Sequence, residues 1–473
     1  MTEDGNLAVF ASAGNGKSTF LQTLIMQLAR THTPEELNIY LLDFGTNGLQ
    51  PLRDLPQVAD IIAVDEEEKI TKLITRLRQT IQKRKHLFSQ EAVANVSMYE
   101  QKTGKTLPEI MVVIDNYEGF AGMAYEDLLF STLVELARDG ISIGVHLVIS
   151  ASELRSVLTQ LRNSFKLKIA LKQNNNNDVD ELVGKTKLEI DDLPGRGLIK
   201  LEEARLFQVA VPVDGKNGLD IVNNLQAEVS EMQAQWHGEK PEAIPTIPEQ
   251  LYADEFIKNK TTQSVLKDNV LPIGLEYSEV SALGYEPEEM GNLGLFGVKD
   301  KRFKALKESI AKSLNLLTGN NKSIVFDMDN IITDKTKFTN IDGIFKENDE
   351  IKQGEVNLEK MYAQRREQGS SEWLYVYITD GKKFQKVTGL SDMDFQDFLT
   401  NSIEKKIAVI VGNDSATFNS PIYLQTIRTT MFTVKISEQS FYSDLYQHNE
   451  ADLEKGQSYF RNESSPLKVK LID

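Results

Sequence analysis

The chain has 473 residues, a formal net charge of −17 and no cysteine. The lack of cysteine excludes a disulfide framework and thiol chemistry, and the acidic balance argues against a general nucleic-acid-binding surface. No stretch of the sequence approaches the ~18 consecutive apolar residues that a membrane-spanning helix needs. The length predicts two or three domains, and a hydrophobic content of 40% is enough for packed cores.

The first informative stretch is residues 7–19, LAVFASAGNGKST, which predicts a strand, a loop of small residues and the start of a helix. A phosphate-binding loop consists of a glycine, four residues and then Gly-Lys-Ser/Thr. Residues 14–18 keep the second half of this pattern, whereas Ala11 replaces the first glycine. Because the strand begins only a few residues into the chain, we expect the sequence to be a fragment of a longer protein.

Each residue type in this loop has a physical role. Polyphosphate is held by inward-pointing backbone N–H groups and by the positive end of the following helix. Gly14 and Gly16 let the backbone approach phosphates without a Cβ, Lys17 would place its charge on the β- and γ-phosphates, and Ser18 would offer its hydroxyl to Mg²⁺. We therefore predict ATP and Mg²⁺ as ligands. The predicted nucleotide-binding residues are Ala11, Ser12, Ala13, Gly14, Asn15, Gly16, Lys17, Ser18 and Thr19.

The next elements alternate between helix and strand. A helix is predicted over residues 18–30, a buried strand over 38–45, which carries Asp43, and a short apolar strand over 57–64. A long helix follows from residue 65 to about residue 88, with an acidic start and a basic end as the helix dipole favours. This alternation is typical of an α/β fold with a mostly parallel sheet, in which ligands bind at the carboxyl ends of the strands.

The second informative stretch, residues 108–115, predicts a buried strand that ends at Asp115. A carboxylate at this position, next to a phosphate loop, is where Mg²⁺ is held, often through water, so we predict Ser18 and Asp115 as the metal-binding residues. In many such ATPases the following residue is a glutamate that activates the attacking water. Here it is Asn116, whose amide can orient water but cannot take its proton. We assign Asp115 and Asn116 as the catalytic residues, and we expect Glu118 to point elsewhere if the strand continues.

A further buried strand is predicted over residues 141–152, and Ser150 or Ser152 at its end is a candidate sensor of the γ-phosphate. His146 lies inside this apolar run and is more typical of a core histidine than of a ligand. The five histidines of the chain are too scattered for metal-ligand spacing.

Five segments of the first half together resemble the FtsK/SpoIIIE family of motor ATPases: AGNGKST (13–19), YLLDFG (40–45), VVIDN (112–116), LARDGISIGVHLVISAS (136–152) and PGRGLI (194–199). Within this family, the LDFG strand and the PGRG turn look most like the type VII secretion ATPases of the EssC/EccC kind. These are membrane-anchored proteins with tandem copies of the domain. The resemblance implies nucleotide binding through Lys17, Ser18 and Asp115, whereas the departures at Ala11 and Asn116 leave fast hydrolysis open.

Three prolines in the polar segment 236–251 predict an extended linker. We predict two tandem P-loop NTPase domains of the RecA/FtsK-like type with central, mostly parallel sheets, of which the second is degenerate. The predicted boundaries are residues 1–236 for the ATPase domain, 237–255 for the linker and 256–473 for the degenerate domain, which lacks a phosphate loop.

The second half repeats the pattern of the first. Residues 292–314 align without gaps on the opening strand, loop and helix, and Phe303 takes the place of Lys17. Asp380 aligns with Asp115. Asp327 and Asp329 resemble a metal pair but are more typical of the end of a strand. A domain that keeps its core and loses its phosphate loop is expected to serve binding or assembly.

The resemblance implies an ATP-binding module of a membrane-associated type VII secretion motor. Its implied partners are small secreted helical proteins with a C-terminal export signal, other secretion-system components, other ATPase domains of the same chain and further copies in a homo-oligomer, with no nucleic acid. The implied location is the cytoplasmic face of the membrane, with the anchor upstream. An arginine from a neighbour is expected to complete the site, with Arg138, Arg155, Arg162 and Arg196 as candidates. The alternatives are a non-hydrolysing, nucleotide-gated adaptor or a DNA translocase of the same family.

Overall fold

The structure, a computed structural model, describes residues 5–45, 47–414, 430–434, 453–462 and 467–473. The chain divides into two compact units, residues 1–245 and residues 246–473. Among the described residues, no helix is long and apolar enough to cross a membrane.

The first unit contains eight strands and seven α-helices within its described residues. The strands are β1 (Leu7–Phe10), β2 (Leu37–Asp43), β3 (Val58–Ala63), β4 (Glu109–Asp115), β5 (Val145–Ala151), β6 (Leu167–Leu171), β7 (Arg196–Lys200) and β8 (Ala204–Gln208). The helices are α1 (Lys17–Thr31), α2 (Glu67–Glu91), α3 (Val96–Thr103), α4 (Glu126–Asp139), α5 (Thr159–Arg162), α6 (Asn176–Val183) and α7 (Gly218–Gln235).

These strands form one sheet in the order β3-β2-β4-β5-β1-β6-β7-β8. The pairs from β3 to β6 are parallel, and β7 and β8 extend the sheet in antiparallel fashion. Each face of the sheet carries its own apolar core: side chains of α2 and α4 pack on one face and those of α1 and α7 on the other. The carboxyl ends of β1, β2, β4 and β5 therefore meet at one edge of a three-layer α/β unit, directly before α1.

The second unit has ten strands and seven α-helices in its described part. The strands are β9 (Leu271–Glu276), β10 (Ala282–Tyr285), β11 (Leu293–Gly297), β12 (Lys322–Phe326), β13 (Gly343–Phe345), β14 (Leu374–Ile378), β15 (Ile407–Asp414), β16 (Thr430–Val434), β17 (Gln457–Asn462) and β18 (Leu467–Lys470). The helices are α8 (Ala253–Phe256), α9 (Lys260–Lys267), α10 (Pro287–Met290), α11 (Lys301–Leu316), α12 (Asn348–Gln368), α13 (Gly381–Thr388) and α14 (Asp392–Ser402).

The second sheet has the order β10-β9-β18-β17-β16-β11-β15-β14-β12-β13. Its six parallel strands, read as β13-β12-β14-β15-β11-β16, repeat the order β3-β2-β4-β5-β1-β6 of the first unit. Four antiparallel strands, β17, β18, β9 and β10, widen the sheet beyond this shared arrangement. The predicted α/β class, with parallel-sheet units of the P-loop kind, is confirmed.

The segment that the prolines predict as a linker lies against the units to which its residues belong. In the first unit, Ile244 is buried in the core and its N–H donates to Asp60 Oδ2 at 3.2 Å. In the second unit, Lys470 Nζ donates to the carbonyl of Glu249 at 2.6 Å, and Asp473 N–H donates to the carbonyl of Leu251 at 2.8 Å. The chain on both sides of the division is therefore held by tertiary contacts.

Candidate nucleotide-binding site

The loop between β1 and α1 spans residues 11–16, and its backbone explains which glycines the site requires. Gly14 and Gly16 have φ values of 78° and 91°, in the left-handed region where a Cβ is unfavourable. Gly16 is also the N-cap of α1. Ala11 does not have a positive φ; it is fully buried, and its N–H donates to the carbonyl of Ala151 at 3.1 Å. An alanine can therefore replace the usual first glycine without backbone strain.

A second segment, the PGRG turn at 194–197, closes against this loop. The N–H of Gly195 donates to the carbonyl of Asn15 at 3.1 Å, and a Cβ on Gly16 would lie 3.0 Å from the Gly195 nitrogen. On the other side, Ser12 bonds to the chain after β6, because its N–H donates to the carbonyl of Lys172 at 3.0 Å and its Oγ accepts from the N–H of Asn174 at 3.1 Å. These contacts hold the loop in one shape before any ligand arrives.

Lys17 is the cation of the site. Its Nζ donates to the carbonyl of Ala11, so the side chain turns back over the loop. Burial lowers the pKa of Lys17 from its usual 10.5, while the nearby carboxylates of Glu118 and Asp115 favour the charged form. A half-buried ammonium beside backbone N–H groups at a helix start is suited to bind a polyanion.

The carboxylate of Asp115 at the end of β4 connects two hydroxyls. Ser18 Oγ donates to Asp115 Oδ2 at 2.7 Å, and Ser150 Oγ at the end of β5 donates to Asp115 Oδ1 at 2.5 Å. Asp43 lies beside Asp115 in the parallel register of β2 and β4. Burial raises the pKa of Asp43, and the neighbouring Asp115 adds to this shift, against the hydrogen bond from the N–H of Leu49.

This arrangement fits a hard, oxygen-preferring cation. A hydroxyl and a carboxylate converge where Mg²⁺ would bridge to phosphate. The room beside them depends on Gly48, because a Cβ there would lie 3.1 Å from Ser18 Oγ and 3.5 Å from Asp115 Oδ2. Among the described residues there is no cluster of three or more His, Cys, Asp or Glu side chains that could hold a metal ion, so the phosphates would have to supply further ligands.

A cavity of about 440 Å³ opens at this edge of the sheet. Its lining consists of Ala13, Gly14, Gly16, Lys17, Ser18, Thr19, Gly45, Asp115, Asn116, Ser152 and Pro194. The structure therefore brings six of the nine predicted loop residues together with both predicted catalytic residues. Ala11, Ser12 and Asn15 do not line the cavity; they shape the loop instead.

Glu118 is the residue at this edge that sequence reasoning missed. The strand ends at Asp115, and residues Tyr117–Phe120 form a 3₁₀ turn that brings Glu118 back towards the site. Its Oε1 accepts from the N–H of Ser152 at 2.5 Å, and it contributes to the electrostatic surroundings of Lys17. The expectation that Glu118 points elsewhere held only for a continuing strand, and the strand does not continue beyond Asp115. Gly119, three positions after the strand-ending Asp115-Asn116 pair, is the signal that could have indicated the turn.

The four candidate arginines differ in whether they already form an ion pair. Arg138 pairs with Asp139, Arg162 with Glu181 and Arg196 with Asp191. Arg155 is exposed in the 3₁₀ turn Leu154–Ser156, directly after β5, and has no ion pair with any residue that the structure describes. None of the four lines the cavity. Arg155 is therefore the candidate that could reach a neighbouring molecule without breaking an existing pair.

The corresponding edge of the second unit lacks a phosphate cradle. Only residues 298–300 connect β11 to α11. The carboxylate of Asp300 caps α11 by accepting the N–H groups of Arg302 and Phe303 at 2.8 and 3.0 Å. These amides are the groups that would bind an anion at the start of α11. Here the side chain of Asp300 already satisfies them. Phe303, predicted in the place of Lys17, is buried.

An internal charge network fills the same edge. Lys307 Nζ bonds to Asp329 Oδ2 at 2.5 Å, and Lys383 Nζ bonds to the other carboxylate oxygen of Asp329 at 2.5 Å. Lys307 also lies 4.3 Å from the centre of the Phe303 ring. The carboxylate of Asp327 accepts the N–H groups of Ile331 and Ile332. Asp327 and Asp329 thus serve internal contacts, as expected for residues at the end of a strand.

The strand pairing shows that one predicted correspondence between the two units, that of Asp380 with Asp115, is off by one residue. Phe10 pairs with Ala151 in the first unit, as Phe296 pairs with Asn413 in the second. On the next strand of each sheet, β14 and β4, the pairing places Ile378 at the position that corresponds to Ile114. Thr379, rather than Asp380, therefore stands where Asp115 stands. Asp380 instead caps α13 through the N–H of Lys383. The error arises because register is set by cross-strand pairing, which a gapless alignment does not show.

The fold and the site together define a P-loop-like α/β unit. Residues 1–188 match the family model of the FtsK/SpoIIIE family. This match lies in the first unit and agrees with the resemblance of the five segments; the matched family implies nucleotide binding.

Curated relatives extend the match to the whole chain. The type VII secretion system protein EssC of Staphylococcus aureus (strain MRSA252) is 28% identical over 99% of this chain and 32% of its own length. The ESX secretion system protein YukB of Bacillus subtilis (strain 168) is 28% identical over 100% of this chain and 32% of its own length. The predicted resemblance to the EssC kind is confirmed: these homologues are components of type VII secretion systems. The chain spans about a third of the length of the curated relatives it matches.

Solved structures show the same fold. ATPases 2 and 3 of EssC from Geobacillus thermodenitrificans superpose with a TM-score of 0.82 at 24% identity, covering 100% of this chain and 92% of that one. ATPases 2 and 3 of Thermomonospora curvata EccC, solved in complex with a signal sequence peptide, give a TM-score of 0.56 at 18% identity, with coverages of 100% and 88%. The fold of the chain is therefore one that solved structures already show.

Proposed function

We propose that the first unit binds ATP·Mg²⁺ and that the chain is part of the motor of a type VII protein secretion system. The observation that carries the nucleotide proposal is the convergence of Lys17, Ser18 and Asp115 on one cavity, beneath a glycine-rich loop at the start of α1. In this proposal the N–H groups of residues 14–18 and the ammonium of Lys17 bind the β- and γ-phosphates. Ser18 and Asp115 hold Mg²⁺, which when bound would neutralise phosphate charge.

The secretion role rests on the relatives. Those that match nearly the whole chain are named for type VII or ESX secretion, and one structural neighbour is the cytoplasmic domain of EssC. We therefore place this chain at the cytoplasmic face of the membrane, with other secretion components and further ATPase domains as its partners. The net charge of −17 does not favour the alternative of a DNA translocase.

The second unit is proposed to recognise substrate. Its own side chains bond the amides at the start of α11 and occupy the place where a phosphate would bind. The unit also carries a groove of about 440 Å³ between α12, α13 and α14. The floor of the groove is apolar and aromatic, and its rim is acidic: Leu358, Tyr362, Phe384, Leu390, Phe395 and Phe398, with Glu355, Glu359, Asp394 and Asp397. This combination suits a helical segment that presents apolar side chains flanked by lysine or arginine, and the EccC neighbour was solved with a signal sequence peptide.

A peptide titration tests the recognition proposal. The probe is a fluorescent synthetic peptide with the C-terminal segment of a small helical protein exported by the same type of system. We expect binding that weakens with added salt and falls when the rim is reversed by Glu359→Lys. The matched control is Lys360→Glu on the same helix, outside the groove lining. Equal affinity of wild type and Glu359→Lys would contradict this role of the groove.

A non-hydrolysing, nucleotide-gated adaptor is the second candidate function, because Asn116 stands where a water-activating glutamate is usual. A titration of the chain with ATP·Mg²⁺ that reads affinity and phosphate release separates the two candidates. Saturable binding with phosphate release supports a motor, and binding alone supports the adaptor. Failure of both wild type and Lys17→Ala to bind would overturn the nucleotide proposal.

A further inference from the structure

The carboxylate of Glu118 is bonded to Ser152, a residue of the nucleotide cavity, and one of its two oxygens has no hydrogen-bond partner among the described residues. Its Oε1 accepts the N–H of Ser152, a residue that lines the cavity, and lies 3.4 Å from the N–H of Glu153. Its Oε2 is buried and has no hydrogen-bond partner among the described residues. A buried carboxylate oxygen without a partner is costly. This position therefore indicates that the oxygen has a use that the ligand-free contacts do not show.

The turn that carries Glu118 is rigidly packed. Gly119 approaches Phe44, the residue after β2, so closely that a Cβ would lie 2.3 Å from the Phe44 carbonyl oxygen. The ring of Phe120 packs edge-on against Phe44 at 6.0 Å and against Tyr117 at 4.9 Å between centroids. These contacts fix the direction of the chain after Asp115. Glu118 is thus held in place before the ligand binds, as an acid–base group should be.

The negative charge of Glu118 acts on Lys17, the cation of the site. Of the carboxylates that favour the charged form of Lys17, Glu118 has the larger effect and Asp115 the smaller. Asp115 is committed to Ser18 and Ser150 through both of its oxygens. Asn116 lines the cavity, but its amide cannot accept a proton. Of the two carboxylates that act on Lys17, Glu118 is therefore the one with an oxygen that bonds to no described residue.

We propose that Glu118, two residues beyond the usual position, is the catalytic base for ATP hydrolysis in the first unit. This inference rests on the proposed binding of ATP. Water attacks the γ-phosphorus while the bond between that phosphorus and the β–γ bridging oxygen breaks, and ADP leaves with the electron pair. Glu118 Oε2 takes the proton of the attacking water and passes it to solvent after inorganic phosphate has formed. Asn116 orients the same water through its amide.

The test compares Glu118→Gln with wild type in the full chain, by ATP affinity and by single-turnover phosphate release. Glutamine keeps an oxygen that accepts the N–H of Ser152, so the turn retains its contact while the proton acceptor is lost. We expect phosphate release to fall by about 100-fold or more, in line with the usual contribution of a general base, and ATP affinity to stay within about threefold. Glu118→Asp, which keeps a carboxylate, should recover part of the rate. Thermal unfolding checks that both variants fold.

Glu153→Gln is the matched control, since Glu153 is exposed and adjacent to the same strand end; it should hydrolyse ATP like wild type. Phosphate release by Glu118→Gln within about threefold of wild type would overturn the assignment. A wild-type chain that binds ATP without releasing phosphate would also overturn it, while leaving the proposed nucleotide binding intact. A wild-type chain that does not bind ATP would instead refute the proposed function itself.

Discussion

Ser18 Oγ donates a hydrogen bond to Asp115 Oδ2 at 2.7 Å, across 97 residues of sequence. The bond joins the first turn of α1 to the end of β4, so the hydroxyl and the carboxylate of the proposed magnesium site are already in contact. The geometry is possible because β1 and β4 are both parallel strands whose carboxyl ends face α1.

Replacing Lys17 by alanine should weaken ATP·Mg²⁺ binding by about 10- to 100-fold, the usual worth of a charge-assisted contact of about 1.5–3 kcal/mol. The measurement is calorimetric or fluorescent titration of the chain with ATP. Lys105→Ala is the control, because Lys105 is exposed and lies just before the amino end of β4, at the opposite edge of the sheet. An unchanged ATP affinity in Lys17→Ala would show that the site is wrongly assigned.

Replacing Asp115 by asparagine should remove most of the dependence of ATP binding on Mg²⁺. The amide oxygen still accepts from Ser18, but the charge that attracts the cation is lost, so apparent Mg²⁺ affinity should fall by about 10- to 100-fold. ATP titrations at a series of Mg²⁺ concentrations measure this. Asp127→Asn, an exposed carboxylate change in the first turn of α4, should behave like wild type. The same Mg²⁺ dependence in both variants would argue against a metal role for Asp115.

ATP affinity should decline at alkaline pH. Burial lowers the pKa of Lys17 from 10.5, and bound phosphate favours the charged ammonium, which raises that pKa in the complex. ATP affinity is therefore highest below the pKa that Lys17 has in the ligand-free chain, which is below 10.5. It falls as the pH rises above that value towards the higher pKa of Lys17 in the complex. Titrations over this range, where circular dichroism shows the chain still folded, should find a slope in wild type and none in Lys17→Ala. Equal slopes would assign the pH dependence to another group.

The second unit should lose stability when Lys307 is removed. Lys307 is 5% exposed and neutralises Asp329 together with Lys383, so Lys307→Ala leaves a partly buried carboxylate with one partner and should cost about 3 kcal/mol. Hydrogen exchange of peptides from α11 reports on this unit separately. Lys304→Ala removes an exposed lysine of the same helix and should change little. Protection of α11 that is equal in the two variants would contradict a structural role of the network.

Local sequence patterns predicted much of this molecule, because the physics behind them is local. The run of residues 7–19 predicts strand, loop and helix, and the structure has them at Leu7–Phe10 and Lys17–Thr31 with the loop between. Alternation of apolar strands with amphipathic helices likewise predicted the parallel sheets. Local patterns do not indicate the role of the PGRG turn, because its contact with the loop joins Asn15 to Gly195, which are far apart in the sequence. Only the family resemblance points to it.

The sequence by itself determined the fold class, the position of the phosphate loop and the pairing of Lys17 and Ser18 with the strand that ends at Asp115. Only the tertiary structure decided where Glu118 lies, because the 3₁₀ turn packs against Phe44, which directly follows the neighbouring strand β2. It also decided that Thr379 stands in the place of Asp115, and that Lys307 and Asp329 fill the second site, because strand register and ion pairs join residues far apart in the chain.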